Sequence, residues 1–370
     1  MGAVKLVIDG REITSNDGLS ILEAAEQAGI SIPTLCYRKE LSAAGACRIC
    51  VVEVEGRDTL AGSCHTPIEA GMVVHTCSPK VIGARKAIIE MLLAGHTGPC
   101  VKDNSAEQCE LHKIASDLEV GPPTFSLRKQ RFYPVEDVSP YVRRDLSKCI
   151  LCGRCIRACN EIAEKHIYSM AYRGFRSKVV VDADVPLNKE LCRDCSLCIE
   201  YCPTGALTSP GSPKKEKQGQ GEKGKRPVSL SPKAPEREAL LGMLKRAQKE
   251  RGYISEASMA EIARILGLTI SEVYGTATFY SFLSVKPKGR NLIRLCKSLS
   301  CFMKDAEMMI GSLEREIGIK PGETSRDERF SFELVNCIGA CDEAPAMLIN
   351  DDLHGHLTPE KISRILKFYP

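Results

Sequence analysis

Apolar and polar residues alternate at residues 4–8 and 12–14, with Asp9-Gly10 between the two runs. An Asp-Gly step between alternating runs predicts a β-hairpin, because both turn positions need positive φ. The period then lengthens. Ile21, Leu22, Ala25 and Ala28 recur at helical spacing behind the capping-box pair Ser20 and Glu23, and Gly29 supplies the stop. A longer helix is predicted over residues 79–94, with Ser78 as N-cap, Pro79 in the first turn and Gly95 as terminator. Residues 121–140 are punctuated by proline and include Arg128, Lys129 and Arg131, the pattern of a connector laid over the surface. From residue 236 the pattern is helical again: Met259, Ile262, Ala263 and Leu266 share a face, Gly267 ends that helix, and Thr269 with Glu272 caps the next. That next helix is expected to run on through Val273, Tyr274, Ala277, Phe279, Tyr280 and Phe282. The last stretch predicts strands at 291–295, 331–335 and 346–349, a helix over 302–317, and a final helix opening at Thr358-Pro359-Glu360.

A chain of 370 residues suggests two to four domains. No apolar run is long enough to cross a bilayer, and residues 1–10 lack the apolar core of a signal peptide, so a cytoplasmic location without membrane insertion is expected. The compartment matters because the chain carries 19 cysteines, which in a reducing cytosol are free to hold metal. The net charge of +4 is mild and largely local: residues 209–235 hold seven Lys or Arg against two Glu among Gly, Ser and Pro, the composition of a solvated flexible linker. Overall charge therefore gives little support to a nucleic-acid partner. Inside the linker, Gly219-Gln220-Gly221-Glu222-Lys223-Gly224 matches G-x-G-x-x-G letter for letter. No strand precedes it, so backbone N–H groups are not aimed at a pyrophosphate, and no nicotinamide or flavin site is expected in this chain. Residues 260–273 superficially resemble a DNA-binding helix-turn-helix, but the second helix has almost no basic residues to meet phosphate, and packing against protein is the better reading.

The cysteines fall into sets. Cys149, Cys152, Cys155 and Cys159, and then Cys192, Cys195, Cys198 and Cys202 followed by Pro203, repeat a C-x2-C-x2-C-x3-C run. Three thiolates on one tight loop reach three corners of a cubane, and the fourth points back to the other cluster. One 4Fe-4S cluster is thus expected on Cys149, Cys152, Cys155 and Cys202, and another on Cys192, Cys195, Cys198 and Cys159. Paired zinc knuckles would leave the third cysteine of each run without a role. Nearer the start, Cys36, Cys47, Cys50 and Cys64 lie on a predicted loop, a spacing that suits a 2Fe-2S centre, with zinc as the alternative. His96, Cys100, Asp103 and Cys109 follow the long helix and offer an imidazole, two thiolates and a carboxylate to a metal. Cys296, Cys301, Cys337 and Cys341 fall at predicted strand ends, where two adjacent loops can hold a second 2Fe-2S centre. Cys77 lies outside every set and is read as a buried small hydrophobe. Arg143, Arg144, Lys148, Arg154 and Arg157 crowd the first run, either as a solvated face or as charges that tune a cluster or steer an acidic partner.

With these motifs in place, residues 1–208 resemble the N-terminal ferredoxin part of the large iron–sulfur subunit of NADH dehydrogenase (complex I), shared with iron-only hydrogenases and formate dehydrogenases. Residues 236–370 resemble the thioredoxin-like 2Fe-2S subunit of the same complex with its helical bundle. The likeness implies an α+β multidomain chain: a β-grasp 2Fe-2S ferredoxin (1–79), a His-Cys-Asp-Cys cluster domain and connector (80–140), a bacterial-type double 4Fe-4S ferredoxin (141–208), the linker (209–235), a helical bundle (236–287) and a thioredoxin-like 2Fe-2S domain (288–370). It implies a third 4Fe-4S cluster on His96, Cys100, Asp103 and Cys109, although the family has cysteine where this chain has Asp103. It further implies an electron-transfer subunit of a soluble NAD(P)H-linked complex, with a flavoprotein partner binding FMN and NAD. A further catalytic subunit (transhydrogenase flavoprotein, hydrogenase or formate dehydrogenase) and ferredoxin are the other implied partners. Fusion of the two parts in one chain suggests electron bifurcation; the peripheral arm of a membrane NADH:quinone oxidoreductase is the alternative, and a zinc-binding interaction module or DNA-binding regulator a remote one.

Overall fold

The structure, a computed structural model, describes residues 3–96, 109–125, 133–210 and 234–370, with side chains of the last segment from residue 239. The chain divides into two units, Met1–Ser231 and Pro232–Pro370. Nearly all of the linker 209–235 lies outside the described residues, as do Cys100, Asp103 and the basic triplet of the connector.

In the first unit the hairpin forms as β1 (Ala3–Ile8) and β2 (Arg11–Asn16), paired from Ala3↔Asn16 to Ile8↔Arg11. Asp9 and Gly10 both take positive φ, 49° and 78°, the turn that matches strand twist. Helix α1 (Ile21–Gln27) starts at a complete capping box, Ser20 Oγ accepting from Glu23 N–H and Glu23 accepting from Ser20 N–H. Three further strands, β3 (Val51–Val54), β4 (Ala61–Gly62) and β5 (Val73–His75), complete a sheet of order β2-β1-β5-β3-β4, with β5 parallel to β1. Ile21, Leu22, Ala24 and Ala25 bury the inner face of α1 against Leu6, Ile8, Val52, Val54 and Val74. Helix α2 (Pro79–Ala94) is capped by Ser78 as its sequence requires, and α3 (Glu110–Asp117) packs Leu111 and Ala115 beside Ile89.

The remainder of this unit is a small double module. Strand β6 (Arg143–Arg144), helix α4 (Arg154–Arg157), strands β7 (Tyr168–Ala171) and β8 (Lys178–Val181), helix α5 (Leu197–Glu200) and strand β9 (Leu207–Thr208) give two antiparallel pairs, β6 with β9 and β7 with β8. Each cysteine run lies before and through one short helix. Two of the arginines here correct the expectation of a solvated basic face, while Arg143 stays exposed. Arg144 and Arg154 are each only 1% exposed. Arg144 donates to Val179 O and stacks over Tyr168, while Arg154 donates to Tyr37 O and Glu110.

The second unit opens on α6 (Ala234–Arg251), α7 (Glu256–Leu266) and α8 (Ile270–Phe279). Gly267 ends α7 in the left-handed region at φ 63°, and Thr269 with Glu272 caps α8. The last of these helices stops at Phe279, short of the expected run, because Tyr280 turns to extended backbone. It buries Ser271, Val273, Tyr274 and Ala277, so the helix that a DNA-binding reading would place in a groove is packed inside the unit.

The sheet that follows comprises β10 (Asn291–Cys296), β11 (Phe330–Val335), β12 (Met347–Ile349) and β13 (Asp352–His354) in the order β11-β10-β12-β13. Here the expected helix over 302–317 is two helices, α9 (Leu299–Phe302) and α10 (Ala306–Ile317), divided where Asp305 takes φ 61°. A short polar side chain makes that left-handed step tolerable. Helix α11 (Pro359–Leu366) begins at Thr358 as expected. Together α10 and α11 cover the sheet through Met309, Leu313, Ile362 and Ile365.

Loss of a buried guanidinium leaves its carbonyl acceptors stranded, at about 1–3 kcal/mol. Arg154→Met is therefore expected to loosen the junction it spans by about that amount. The measurement is amide hydrogen exchange, which should quicken in residues 36–43 and 110–118 and stay unchanged in 291–370.

Candidate metal centres

Sheet geometry delivers the first donor set. Cys36, Cys47 and Cys50 come from the irregular segment between α1 and β3, where Arg48 adopts φ 61°, and Cys64 follows β4. All four are buried. They resolve into two hydrogen-bonded pairs. The Cys47 thiol donates to Cys36 and holds it down to about 5, while Cys47 itself rises; the Cys64 thiol likewise holds Cys50 down to about 6 and rises. A set divided into two pairs fits a binuclear centre in which each ion takes two thiolates.

The double module arranges its donors otherwise. Leu151 and Gly153 take left-handed backbone, φ 55° and 69°, and curl the first run around an apolar cavity lined by Cys149, Cys152, Cys155 and Cys202 with Leu146, Ile150 and Pro203. Burial pushes the Cys152 thiol up to about 12 and raises that of Cys155 further, with Cys149 and Cys202 adding to both. The fourth cysteine of this run, Cys159, sits in a π-turn (Ala158–Ile162) after α4. Its charge is felt by Cys192 and Cys198 of the second run, and its own thiol is raised by burial and then by Cys195. The last cysteine of each run therefore lies beside the first three of the other. Burial also lifts Cys198 to about 12, although the Tyr168 hydroxyl donates to its sulfur at 3.7 Å. Thiols this unwilling to ionise in an apolar shell are matched to a cationic cluster core that takes the proton's place.

In the second unit, β10 and β11 run parallel, so the residues that follow them meet at one sheet edge. Cys296 ends β10, Cys301 lies in α9, and Cys337 and Cys341 follow β11. The Cys337 and Cys341 sulfurs are 3.3 Å apart and exposed, the buried Cys301 is hydrogen-bonded to Cys296, and Cys296 also reaches Cys337, so the four thiols form one connected group. Gly339, at φ 90°, donates its N–H to Cys337.

Behind α2, His96 Nε2 faces Cys109 Sγ at 4.0 Å, and His112 Nδ1 stands 3.1 Å from the same sulfur. Cys100 and Asp103, the other two members of the expected set, lie outside the described residues.

Comparison with known protein families matches three separate stretches of the chain. The family described as a 2Fe-2S iron–sulfur cluster binding domain matches residues 2–79. That of NADH-quinone oxidoreductase subunit 3, ferredoxin-like domain, matches 139–208, and the thioredoxin-like [2Fe-2S] ferredoxin family matches 229–370. Models of three ferredoxin or iron–sulfur domain families thus match separate stretches of this chain. Curated relatives align with 56% of it: the NADP-reducing hydrogenase subunit HndD of Solidesulfovibrio fructosivorans at 38% identity over 36% of that protein, and the mitochondrial NADH-ubiquinone oxidoreductase 78 kDa subunit of Candida albicans at 34% over 29%. The NADPH-Fe(3+) oxidoreductase subunit alpha of Geobacter sulfurreducens aligns at 34% over 24% of its length. The chain therefore spans about a third or less of these relatives. A chain of the NAD+-reducing [NiFe]-hydrogenase structure in the H2-reduced state aligns with a TM-score of 0.49 at 29% identity, over 57% of this chain and 89% of that one.

Two readings of the sequence change against the structure. Cys77 is exposed, not a buried hydrophobe, because it sits between the end of β5 and the Ser78 cap of α2, where the backbone turns outward. His112 was missed. Its signal is a C-x2-H step from Cys109, which α3 converts to one helical turn. No helix among the described residues is long and apolar enough to cross a membrane.

Hydrogen bonds to cluster sulfurs raise a reduction potential. Tyr168→Phe is expected to shift one 4Fe-4S potential of the double module negative by some tens of millivolts at unchanged iron content, read by electron paramagnetic resonance in a redox titration.

Proposed function

We propose that the chain is an iron–sulfur electron-transfer subunit of a multi-subunit NAD(P)H-linked oxidoreductase. The observation that carries this reading is Arg157, whose Nη2 donates to the carbonyls of both Cys36, at 2.6 Å, and Cys152, at 3.3 Å. One nitrogen so shared keeps a ligand of the 2Fe-2S domain and a ligand of the first 4Fe-4S set a few bonds apart. The second set follows directly, since Cys155 feels the charge of Cys198. Centres strung this closely suit a wire.

In this reading Cys36, Cys47, Cys50 and Cys64 hold one 2Fe-2S cluster, and Cys296, Cys301, Cys337 and Cys341 the other. Cys149, Cys152, Cys155 and Cys202 hold one 4Fe-4S cluster, and Cys192, Cys195, Cys198 and Cys159 its neighbour. The partners are a flavoprotein that binds FMN and NAD, and a second redox subunit or ferredoxin; a soluble bifurcating transhydrogenase, hydrogenase or formate dehydrogenase is the fuller form. Relatives of similar identity from a hydrogenase and from an NADH-ubiquinone oxidoreductase also support a peripheral arm of a membrane complex as a second reading. The subunits that co-purify with the chain separate the two.

The helical part of the second unit would dock on the flavoprotein through Phe279 and Phe282, 50% and 41% exposed, whereas Tyr274 is buried within the unit. Reduced by dithionite, the isolated chain should show cluster signals yet neither bind flavin nor oxidise NADH, and adding the co-purifying flavoprotein should make the same clusters reducible by NADH. Rapid NADH oxidation by the chain alone, with bound flavin, would overturn the proposal.

A further inference from the structure

We propose that His96, Cys109 and His112 together hold one divalent transition-metal ion of the zinc class, in place of a third cubane. The inference stands on the geometry of this site and does not rest on the electron-transfer reading. Cys109 is the N-cap residue of α3 and His112 lies one turn further, so the two side chains share a helix face. The End of α2 brings His96 opposite them. The three donor atoms, His96 Nε2, Cys109 Sγ and a ring nitrogen of His112, all lie within 4.8 Å of one another. Two donors on a tetrahedral zinc ion, at bonds of about 2.0 and 2.3 Å, stand roughly 3.3–3.6 Å apart. The separations of 3.1 and 4.0 Å bracket that range. Terminal ligands of a cubane sit on different irons and are held further apart by the iron–iron edge between them.

The protonation pattern is also set for metal. Lys148 O, which can only accept, lies 2.9 Å from His96 Nδ1, so Nδ1 carries the proton and Nε2 keeps its lone pair facing Cys109. A carbonyl behind a ligating imidazole is the usual orienting partner of such a ligand. His96 and Cys109 are 5% and 3% exposed, so the donors are gathered away from water, where an imidazole–thiolate group gains most from a cation. Their chemistry points the same way. Two nitrogens and one sulfur form a borderline-soft set that suits zinc, whereas iron–sulfur clusters favour thiolate throughout. With Asp103 standing where the resemblance expects cysteine, residues 96–109 have lost a soft donor, and α3 supplies a nitrogen one turn beyond. Zinc has no redox chemistry, so the ion would act as a pin that fastens α3 and the end of α2 to the backbone just before Cys149.

The test is metal analysis of the anaerobically purified full chain. Wild type should carry one zinc per chain beside about 12 iron atoms, the sum of two 2Fe-2S and two 4Fe-4S centres. His112→Gln should lose the zinc with its iron unchanged, which also reports that the fold is intact. His112→Cys, which offers a thiolate instead, should keep it. Cobalt(II) in place of zinc should give thiolate-to-metal charge-transfer absorption in wild type and His112→Cys but not in His112→Gln. About 16 iron atoms and no zinc in wild type would overturn the proposal, as would full zinc retention by His112→Gln with an unaltered cobalt spectrum.

Discussion

Two arginines a single turn apart on α4 tie the Cys36 loop and α3 to the double module. Arg157 bridges the carbonyls of Cys36 and Cys152, and also reaches Ser42 O; Arg154, before it, reaches Tyr37 O and Glu110. Residues 36–43 form no sheet or helix, so their carbonyls have no ladder to satisfy them, and buried backbone acceptors must find donors. Guanidinium groups supply several donors in a fixed plane and stay charged at any relevant pH. The loop and the helix therefore complete each other. Glu161 adds a second clasp by accepting from the backbone and hydroxyl of Ser42 at 2.8 and 2.5 Å.

That arrangement is electrostatically unfinished in protein atoms alone. The Nε groups of Arg85, Arg144, Arg154 and Arg157 are buried with no hydrogen-bond partner among the described residues. Burying charge so incompletely paired is costly unless opposite charge lies near. Such charge is available from the donor sets: Arg157 favours the ionised form of Cys36, and Arg154 that of Cys152. A cluster held by four thiolates would carry net negative charge, so in the proposed reading metal and arginine would offset each other's burial. Folding and cluster insertion are on this account linked, as they are for other metal-stapled domains.

Much of this was legible beforehand, and for identifiable reasons. The repeated C-x2-C-x2-C-x3-C spacing pointed to the proximity of Cys202 to the first run and of Cys159 to the second, which the structure also has. Caps at Ser20, Ser78 and Thr269 fixed three helix starts through purely local hydrogen bonds. What could not be read depends on distant neighbours. The burial of Arg144 and Arg154 arises from β8 and from the Cys36 loop, more than 30 residues away along the chain in each case. The break at Asp305 has no glycine or proline to announce it, and β13 is three residues long, too short for an alternation to register. His112 escaped because the eye follows cysteine spacing, while a helix turns C-x2-H into a shared face.

The donor sets also differ in how far solvent reaches them, and that difference bears on their use. Within the first unit Cys36, Cys47, Cys50 and Cys64 are buried, and the sets of the double module are buried or half-buried. In the second unit Cys337 and Cys341 are exposed, and nearby Leu299, Phe302 and Met303 are 73%, 57% and 75% exposed. Three large apolar side chains around an open cysteine pair form a surface that water covers poorly. Solvent exposure changes a cluster's potential, and enclosure isolates it from adventitious donors. An enclosed series suits transfer between fixed neighbours, whereas a centre at an open sheet edge suits exchange with another protein pressed against it. The physical cause is topological: parallel β10 and β11 can only present their following loops at a rim, while paired short helices wrap theirs inside a core.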